Sequence, residues 1–181
     1  MTQRVWQARA STDFKGFEML KHGTASTFVF ALVGGHWRLG LIDHPRLSMA
    51  MIPGGHVESD ETAAQAAWRE VLEETGLEVR PLAAPSARMP HGYPHPVMAQ
   101  PWWITELRVP RDNHLGEDHI HVDHVFVAVA DSIDPVSQAE HPFTWCSEEE
   151  VLRSEVVFED TKVLAKELFA RIGDLAGLPA S

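Results

Sequence analysis

Glu70, Glu73 and Glu74 stand at i, i+3 and i+4 in residues 55–77, which read Gly-His-Val-Glu-Ser-Asp-Glu-Thr-Ala-Ala-Gln-Ala-Ala-Trp-Arg-Glu-Val-Leu-Glu-Glu-Thr-Gly-Leu. At about 100° per residue, a helix here places all three carboxylates within an arc of about 100° on one face. Three negative charges that close repel one another unless a cation sits among them. Oxygen-only donors suit a hard divalent ion, Mg²⁺ first and Mn²⁺ second. Such an ion is placed to hold a pyrophosphate. An acidic run alone more often marks a solvated helix face. Three neighbours favour the metal reading here: Arg69 just before Glu70, Gly76-Leu77 just after, and the Gly54-Gly55 turn ahead.

The spacing runs from Gly55 over five residues to Glu61, over seven more to Arg69-Glu70, and then to Val71, Glu73, Glu74, Gly76 and Leu77. Every specified position of the Nudix box is present, and the stretch resembles that signature of hydrolases acting on nucleoside diphosphates linked to another group. A strand-rich segment on each side and a Trp-Cys-Ser-Glu-Glu-Glu turn at 145–150 extend the resemblance over most of residues 25–172. The resemblance implies that Glu70, Glu73 and Glu74 ligate metal and that the backbone carbonyl of Gly54 completes the set. It also implies an α/β fold, an α/β/α sandwich on a mixed β-sheet, with the box as a loop-helix-loop. The implied reaction is Mg²⁺-dependent hydrolysis of a pyrophosphate bond, with metal-activated water attacking phosphorus. Its substrate would be a nucleoside triphosphate or a nucleotide-sugar type compound. Two rivals stand beside it: a catalytically inactive nucleotide-binding sensor and a prenyl diphosphate isomerase. The intact carboxylate set argues against the first. The position of Cys146, outside the expected neighbourhood, argues against the second.

The elements that must position these residues are legible in part. Residues 25–33 read as a strand, Gly34-Gly35 as a tight turn, and residues 36–42 as the returning strand. A short strand near 49–52 leads into Pro53-Gly54-Gly55, a turn that lets backbone approach a ligand. Asp60 is placed to cap the box helix and Gly76 to end it. Ala64, Trp68, Val71 and Leu72 form its apolar stripe. Ala63, Ala66 and Ala67 fall nearer the carboxylates, where small side chains leave room. Residues 77–82, 102–109 and 119–130 read as strands, and the proline-rich 85–101 as a long loop. Ser147 opens a capping box with Glu150, and Leu164, Leu168, Ile172 and Leu175 stripe a final helix. Strands before, between and after the helices point to the same mixed α/β sandwich. The expected division is a Nudix domain over 25–175, an N-terminal extension over 1–24 and a short tail over 176–181.

Arg69 reads best as a fork that fixes a box carboxylate in its ligating rotamer. Glu61 either stabilises the positive helix start or meets Arg69. Glu58 is a weaker candidate for supporting the ligands. Along 119–123, His119, His121 and Asp123 share one face if the segment is a strand, while Ile120, Val122, Phe126 and Ala128 share the other. The polar face is either an exposed sheet edge or part of the cleft. Asp118, Glu117, His121 and Asp123 are candidates for an additional acid or base. His-x-His with Asp123 also has zinc-site character, although the carboxylates already account for a metal. Candidate substrate contacts are Arg46, Arg88 and Trp102, with Arg38 and Arg111 as further turn arginines. Trp102 and Trp103 offer stacking surface, but at least one is expected in the core.

With 181 residues, the chain is long enough for one well-cored domain. A formal net charge of −11 opposes binding to nucleic acid polymers. It does not oppose a small phosphorylated nucleotide-type substrate bridged by metal. No apolar run reaches membrane length and no signal-peptide order is seen, so no membrane partner and a cytoplasmic location are expected. Cys146 is the single cysteine, which rules out an intrachain disulfide. The one macromolecular partner considered is a second copy, as a homodimer.

Overall fold

The computed structural model describes residues 19–85, 89–111 and 115–177. Among them, eight strands form one sheet: β1 (Lys21–Val33), β2 (His36–His44), β3 (Met49–Met51), β4 (Gly54–His56), β5 (Arg80–Pro81), β6 (Trp103–Val109), β7 (His119–Val129) and β8 (Phe143–Cys146). The four helices are α1 (Ala63–Thr75), α2 (Glu148–Arg153), α3 (Glu159–Phe169) and α4 (Ile172–Leu175). The sheet is mixed, as expected. β1 and β7 run parallel at its centre, and the other pairings are antiparallel.

The length of β1 organises the site. Its C-terminal end pairs with β2, whereas its N-terminal end, Thr24 to Ser26, pairs with β4. The strand begins at Lys21, ahead of the expected start at 25, and residues 1–18 of the expected extension lie outside the described residues. β7 is an interior strand, between β1 on one side and β5 and β6 on the other. Its polar N-terminal half is therefore no sheet edge.

Each sheet face carries its own apolar layer. On one, Phe28, Phe30, Val125, Val127 and Val129 pack with Val151, Ala165, Leu168 and Ile172 of the three C-terminal helices. On the other, α1 lies over Ala25, Val29 and Phe126. Ala66 and Ala67 are 0% exposed and Leu72 is 38% exposed, so the helix turns the alanines, not Leu72, toward the sheet. The expected roomy alanine side is in fact the packing surface, because small side chains let the helix approach the strands closely.

The cap also differs from expectation. Thr62, not Asp60, is the N-cap: its hydroxyl accepts from the Gln65 N–H while the Gln65 side chain accepts from the Thr62 N–H. Gln at the third helical position completes the reciprocal box that Asp60 would lack. The strand expected over 77–82 shrinks to Arg80–Pro81. The final stripe divides into α3 and α4, with Leu168 and Ile172 buried side by side. The capping box at Ser147 and Glu150 is present as read.

Removing the cap should cost stability without touching the sheet. Thr62→Ala is expected to lose about 1 kcal/mol, a fall of about 2–4 °C in Tm. A thermal melt showing no change would mean that the Gln65 side chain alone satisfies this end of the helix.

Candidate functional site

Local chemistry dictates how α1 starts and stops, and this fixes the carboxylates. At its C-terminal end Gly76 adopts φ 71°, a left-handed conformation that favours glycine, and a Cβ there would lie 2.3 Å from the Ser137 carbonyl. The loop between β7 and β8 closes over the last turn. Val136 N–H donates to the Gly76 carbonyl (2.8 Å), Glu140 N–H to that of Glu73 (3.0 Å), and His141 N–H to that of Glu74 (3.3 Å). These bonds satisfy carbonyls that a helix end leaves without internal partners.

The turn before α1 is packed just as closely. A Cβ on Gly55 would lie 2.2 Å from a Glu70 carboxylate oxygen, and one on Gly54 would lie 2.5 Å from the Ala25 carbonyl. Only glycine allows backbone this near to the acidic face. The Gly54 N–H donates to Glu74 Oε2 at 2.9 Å.

Arg69 gathers the remaining groups. Its guanidinium donates to Glu61 (2.7 and 3.1 Å), Glu70 (2.8 Å), Glu73 (2.9 Å) and the His56 carbonyl (3.0 Å). This is the fork geometry expected of arginine, and of the two sequence readings for Glu61, the meeting with Arg69 is the one found. Glu61 also accepts the Glu58 N–H, which ties Glu58 to the site through its backbone. The Arg69 hydrogen bonds hold the Glu61 carboxyl below its usual range.

Burial acts in the opposite direction on the ligand candidates. It raises Glu70 against the pull of Arg69, and raises Glu74 to about 8 against the pull of the Gly54 N–H. The charges of Glu70, Glu140 and Glu73 push Glu74 further up. A cation beside Glu74 would offset that burial and favour its charged form. The donor set therefore fits a hard divalent ion: carboxylates from Glu70, Glu73 and Glu74 beside the close Gly54-Gly55 backbone.

A family model described as the NUDIX domain matches residues 24–166. This chain belongs to the Nudix family. Membership supports a hydrolase acting on pyrophosphate bonds. No curated protein sequence matches this chain. Among solved structures, the fold is similar to a NUDIX-family hydrolase from Clostridium perfringens, at 21% identity and a TM-score of 0.62, covering 83% of this chain and 97% of that one. It also resembles the C. elegans Ap4A hydrolase (17%, TM-score 0.58, 84% and 99% covered). A third likeness is to the NUDIX domain of Shewanella oneidensis NrtR, solved with ADP ribose (18%, TM-score 0.52, 90% and 95% covered).

The other candidate residues of this Nudix chain are dispersed. Asp118 is exposed and pairs with Arg108 at 3.3 Å. Asp123 accepts from the Thr24 and Ser26 hydroxyls at 2.8 and 3.0 Å, and burial raises its carboxyl. His121 lies against His22, His56 and His119. By strand alternation His119, His121 and Asp123 share the face of Val125 and Val127, opposite α1. This polar face is thus no sheet edge, and it lies across the sheet from the box helix.

Trp102 donates its indole N–H to the Leu82 carbonyl at 3.0 Å, and both Trp102 and Trp103 pack against the larger core. Arg46 is exposed in the turn after β2, Arg38 pairs with Glu150 at 3.1 Å, and Arg88 lies outside the described residues. Burial raises the Cys146 thiol, consistent with the absence of any activating neighbour in sequence.

Sequence reading missed His141. The loop over the end of α1 brings its Nε2 to 3.5 Å from Glu74 Oε1, and His44 lies beyond it at a ring separation of 6.3 Å. Burial, with the charges of Arg46 and His141, lowers the His44 imidazole. No local motif announces a histidine 67 residues from its partner.

Two substitutions separate geometry from charge. Gly55→Ala keeps the net charge but drives a methyl into Glu70, so metal-activated turnover should fall by about tenfold or more while the fold persists by circular dichroism. Arg69→Lys should raise the Mg²⁺ concentration for half activation by about tenfold, because lysine lacks the planar fork. A change confined to substrate KM would instead place Arg69 on phosphate.

Proposed function

We propose that this Nudix chain is a Mg²⁺-dependent hydrolase, with Mn²⁺ as a substitute, that cleaves the pyrophosphate bond of a nucleoside diphosphate linked to another group. One observation carries the reading. Glu61, Glu70 and Glu73 share the single Arg69 guanidinium while Glu70 and Glu74 lie against the Gly54-Gly55 turn, so the cluster keeps a negative excess that a divalent ion would balance. Glu70, Glu73 and Glu74 would hold the ion, with the Gly54 carbonyl as the expected backbone donor. When bound, the ion supplies charge screening for the phosphates and lowers the pKa of coordinated water.

This chain's residues would do the rest. Arg69 fixes the rotamers of Glu70 and Glu73 while Glu61 anchors Arg69. The glycine backbone admits phosphate close to the helix. A box carboxylate accepts the proton of the attacking water as its oxygen bonds to phosphorus and the bridging P–O bond breaks. The products would be a nucleoside monophosphate and a second phosphorylated fragment or pyrophosphate. His141 beside Glu74 would position that carboxylate. Asp118, His121 and Asp123 stay outside this reading because their contacts lie with other groups.

A small nucleotide-type substrate is supported by the neighbours, one an Ap4A hydrolase and another solved with ADP ribose. The net charge of −11 favours such a ligand over a nucleic acid polymer. No helix among the described residues is long and apolar enough to cross a membrane. The expected cytoplasmic location and a homodimer belong to the same proposal, as does a substrate-contact role for the exposed Arg46.

A panel of nucleoside triphosphates, dinucleoside polyphosphates and nucleotide sugars, assayed with Mg²⁺ for nucleoside monophosphate, phosphate and pyrophosphate, tests the reading. At least one compound should turn over, EDTA should abolish the activity, and added Mg²⁺ or Mn²⁺ should restore it. Glu73→Gln and Glu74→Gln should each lower kcat by about 10²-fold or more with the fold intact. Tight binding of a nucleotide with no turnover would mark a sensor instead, and turnover that survives EDTA would exclude the metal mechanism.

A further inference from the structure

On the sheet face opposite α1, four histidines from three strands converge: His22 on β1, His56 on β4, and His119 and His121 on β7. Each offers a ring nitrogen, and the four nitrogens all lie within 4.8 Å of one another. Ring centroids are 4.6 Å apart for His22–His56, 4.7 Å for His22–His119, and 4.9 Å for His56–His121. His119 Nε2 and His121 Nε2 stand 3.1 Å apart. The edge of a tetrahedron around zinc with Zn–N of 2.0–2.1 Å is about 3.3 Å. One pair already stands near that separation, and every other pair lies within 4.8 Å.

The tautomer of the most buried ring is set. His119 is 0% exposed, and its Nδ1 lies 2.9 Å from the Glu117 carbonyl. A carbonyl only accepts, so the proton of a neutral His119 sits on Nδ1 and the lone pair on Nε2 points into the cluster. A backbone carbonyl orienting a histidine through its far nitrogen is the usual support of a metal-ligating imidazole. The Asp123 contemplated from the sequence as the third zinc ligand is absent from the group, because the Thr24 and Ser26 hydroxyls hold it.

We propose that His22, His56, His119 and His121 form a second metal site, for a borderline transition-metal ion with Zn²⁺ foremost. Four imidazoles without a carboxylate discriminate against Mg²⁺ and suit zinc, cobalt or nickel. Closed four-coordination is the pattern of a structural zinc rather than a catalytic one. The ion would tie the N-terminal ends of β1 and β7 to β4. Residues 54–56 are shared between the two sites: Gly54 binds Glu74, Gly55 abuts Glu70, and the His56 carbonyl accepts from Arg69. An ion on the His56 ring would therefore brace the acidic turn from behind.

The test uses tag-free full-length protein loaded with Zn²⁺, desalted into Mg²⁺ buffer and analysed for bound metal by mass spectrometry. About one zinc per chain should be retained, and Co²⁺ in its place should give the intense visible absorption of tetrahedral coordination. His22→Gln and His121→Gln should each weaken zinc retention by about tenfold or more, whereas Glu73→Gln should leave it unchanged. Zinc lost on desalting by the wild type, a weak octahedral cobalt spectrum, or zinc lost in Glu73→Gln but kept in the histidine variants would overturn the proposal. The cobalt spectrum needs no variant, so it decides the matter even if a substituted protein fails to fold. None of these measurements depends on hydrolysis.

Discussion

The Arg69 guanidinium is the contact on which the acidic site depends. It binds three carboxylates and one backbone carbonyl from its own place on a helix that would otherwise present bare negative charge. An exposed ion pair is worth little, because water screens it. This one is half-buried, multiply hydrogen-bonded and shared among several partners, so its value lies in geometry. Without it Glu70 and Glu73 would splay apart under mutual repulsion, and Glu61 would have no reason to leave solvent.

That arrangement is incomplete as a balance of charge, and the incompleteness is informative. Folding buries Glu74 deeply enough to raise its carboxyl to about 8, and the one peptide N–H that reaches it does not cancel the effect. A protein built for stability alone would place an apolar side chain there, since replacing buried charge by packing is often neutral or favourable. Retaining the carboxylate under an end-capping loop, with His141 alongside, fits the proposed cation site. The loop that caps α1 thus also brings His141 to Glu74.

Three consecutive residues of β4 also link the two faces of the sheet. Strand alternation turns Gly55 toward α1 and the ring of His56 toward the opposite side, while the Gly54 N–H and the His56 carbonyl at the two ends of the strand bind Glu74 and Arg69. A displacement of this short strand would be felt by the carboxylates and the histidines together. Its pairing with the N-terminal end of β1 is what prevents that, and β1 in turn is held by the long parallel register with β7.

The sequence by itself determined what depends on local spacing. The carboxylate face, the Arg69–Glu61 option, the glycine turn, the Gly76 stop and the mixed sheet all follow from residue types at fixed offsets within a helix, a turn or a strand. Even nearby, competition between two adequate caps was not legible: Asp60 and Thr62 both qualify by type, and only the reciprocal bond with Gln65 selects Thr62. Tertiary structure decided everything that joins distant segments. Which alanines of α1 pack inward depends on how closely it approaches β1. The meeting of His141 with Glu74 depends on where a loop crosses a helix end. The histidine cluster depends on β1 and β7 pairing in the one register that sets His22 beside His121, with β4 laid alongside. Local periodicity assigns a residue to a face of its own element, but pairing register and loop closure choose what that face meets, and neither is written in the spacing of neighbours.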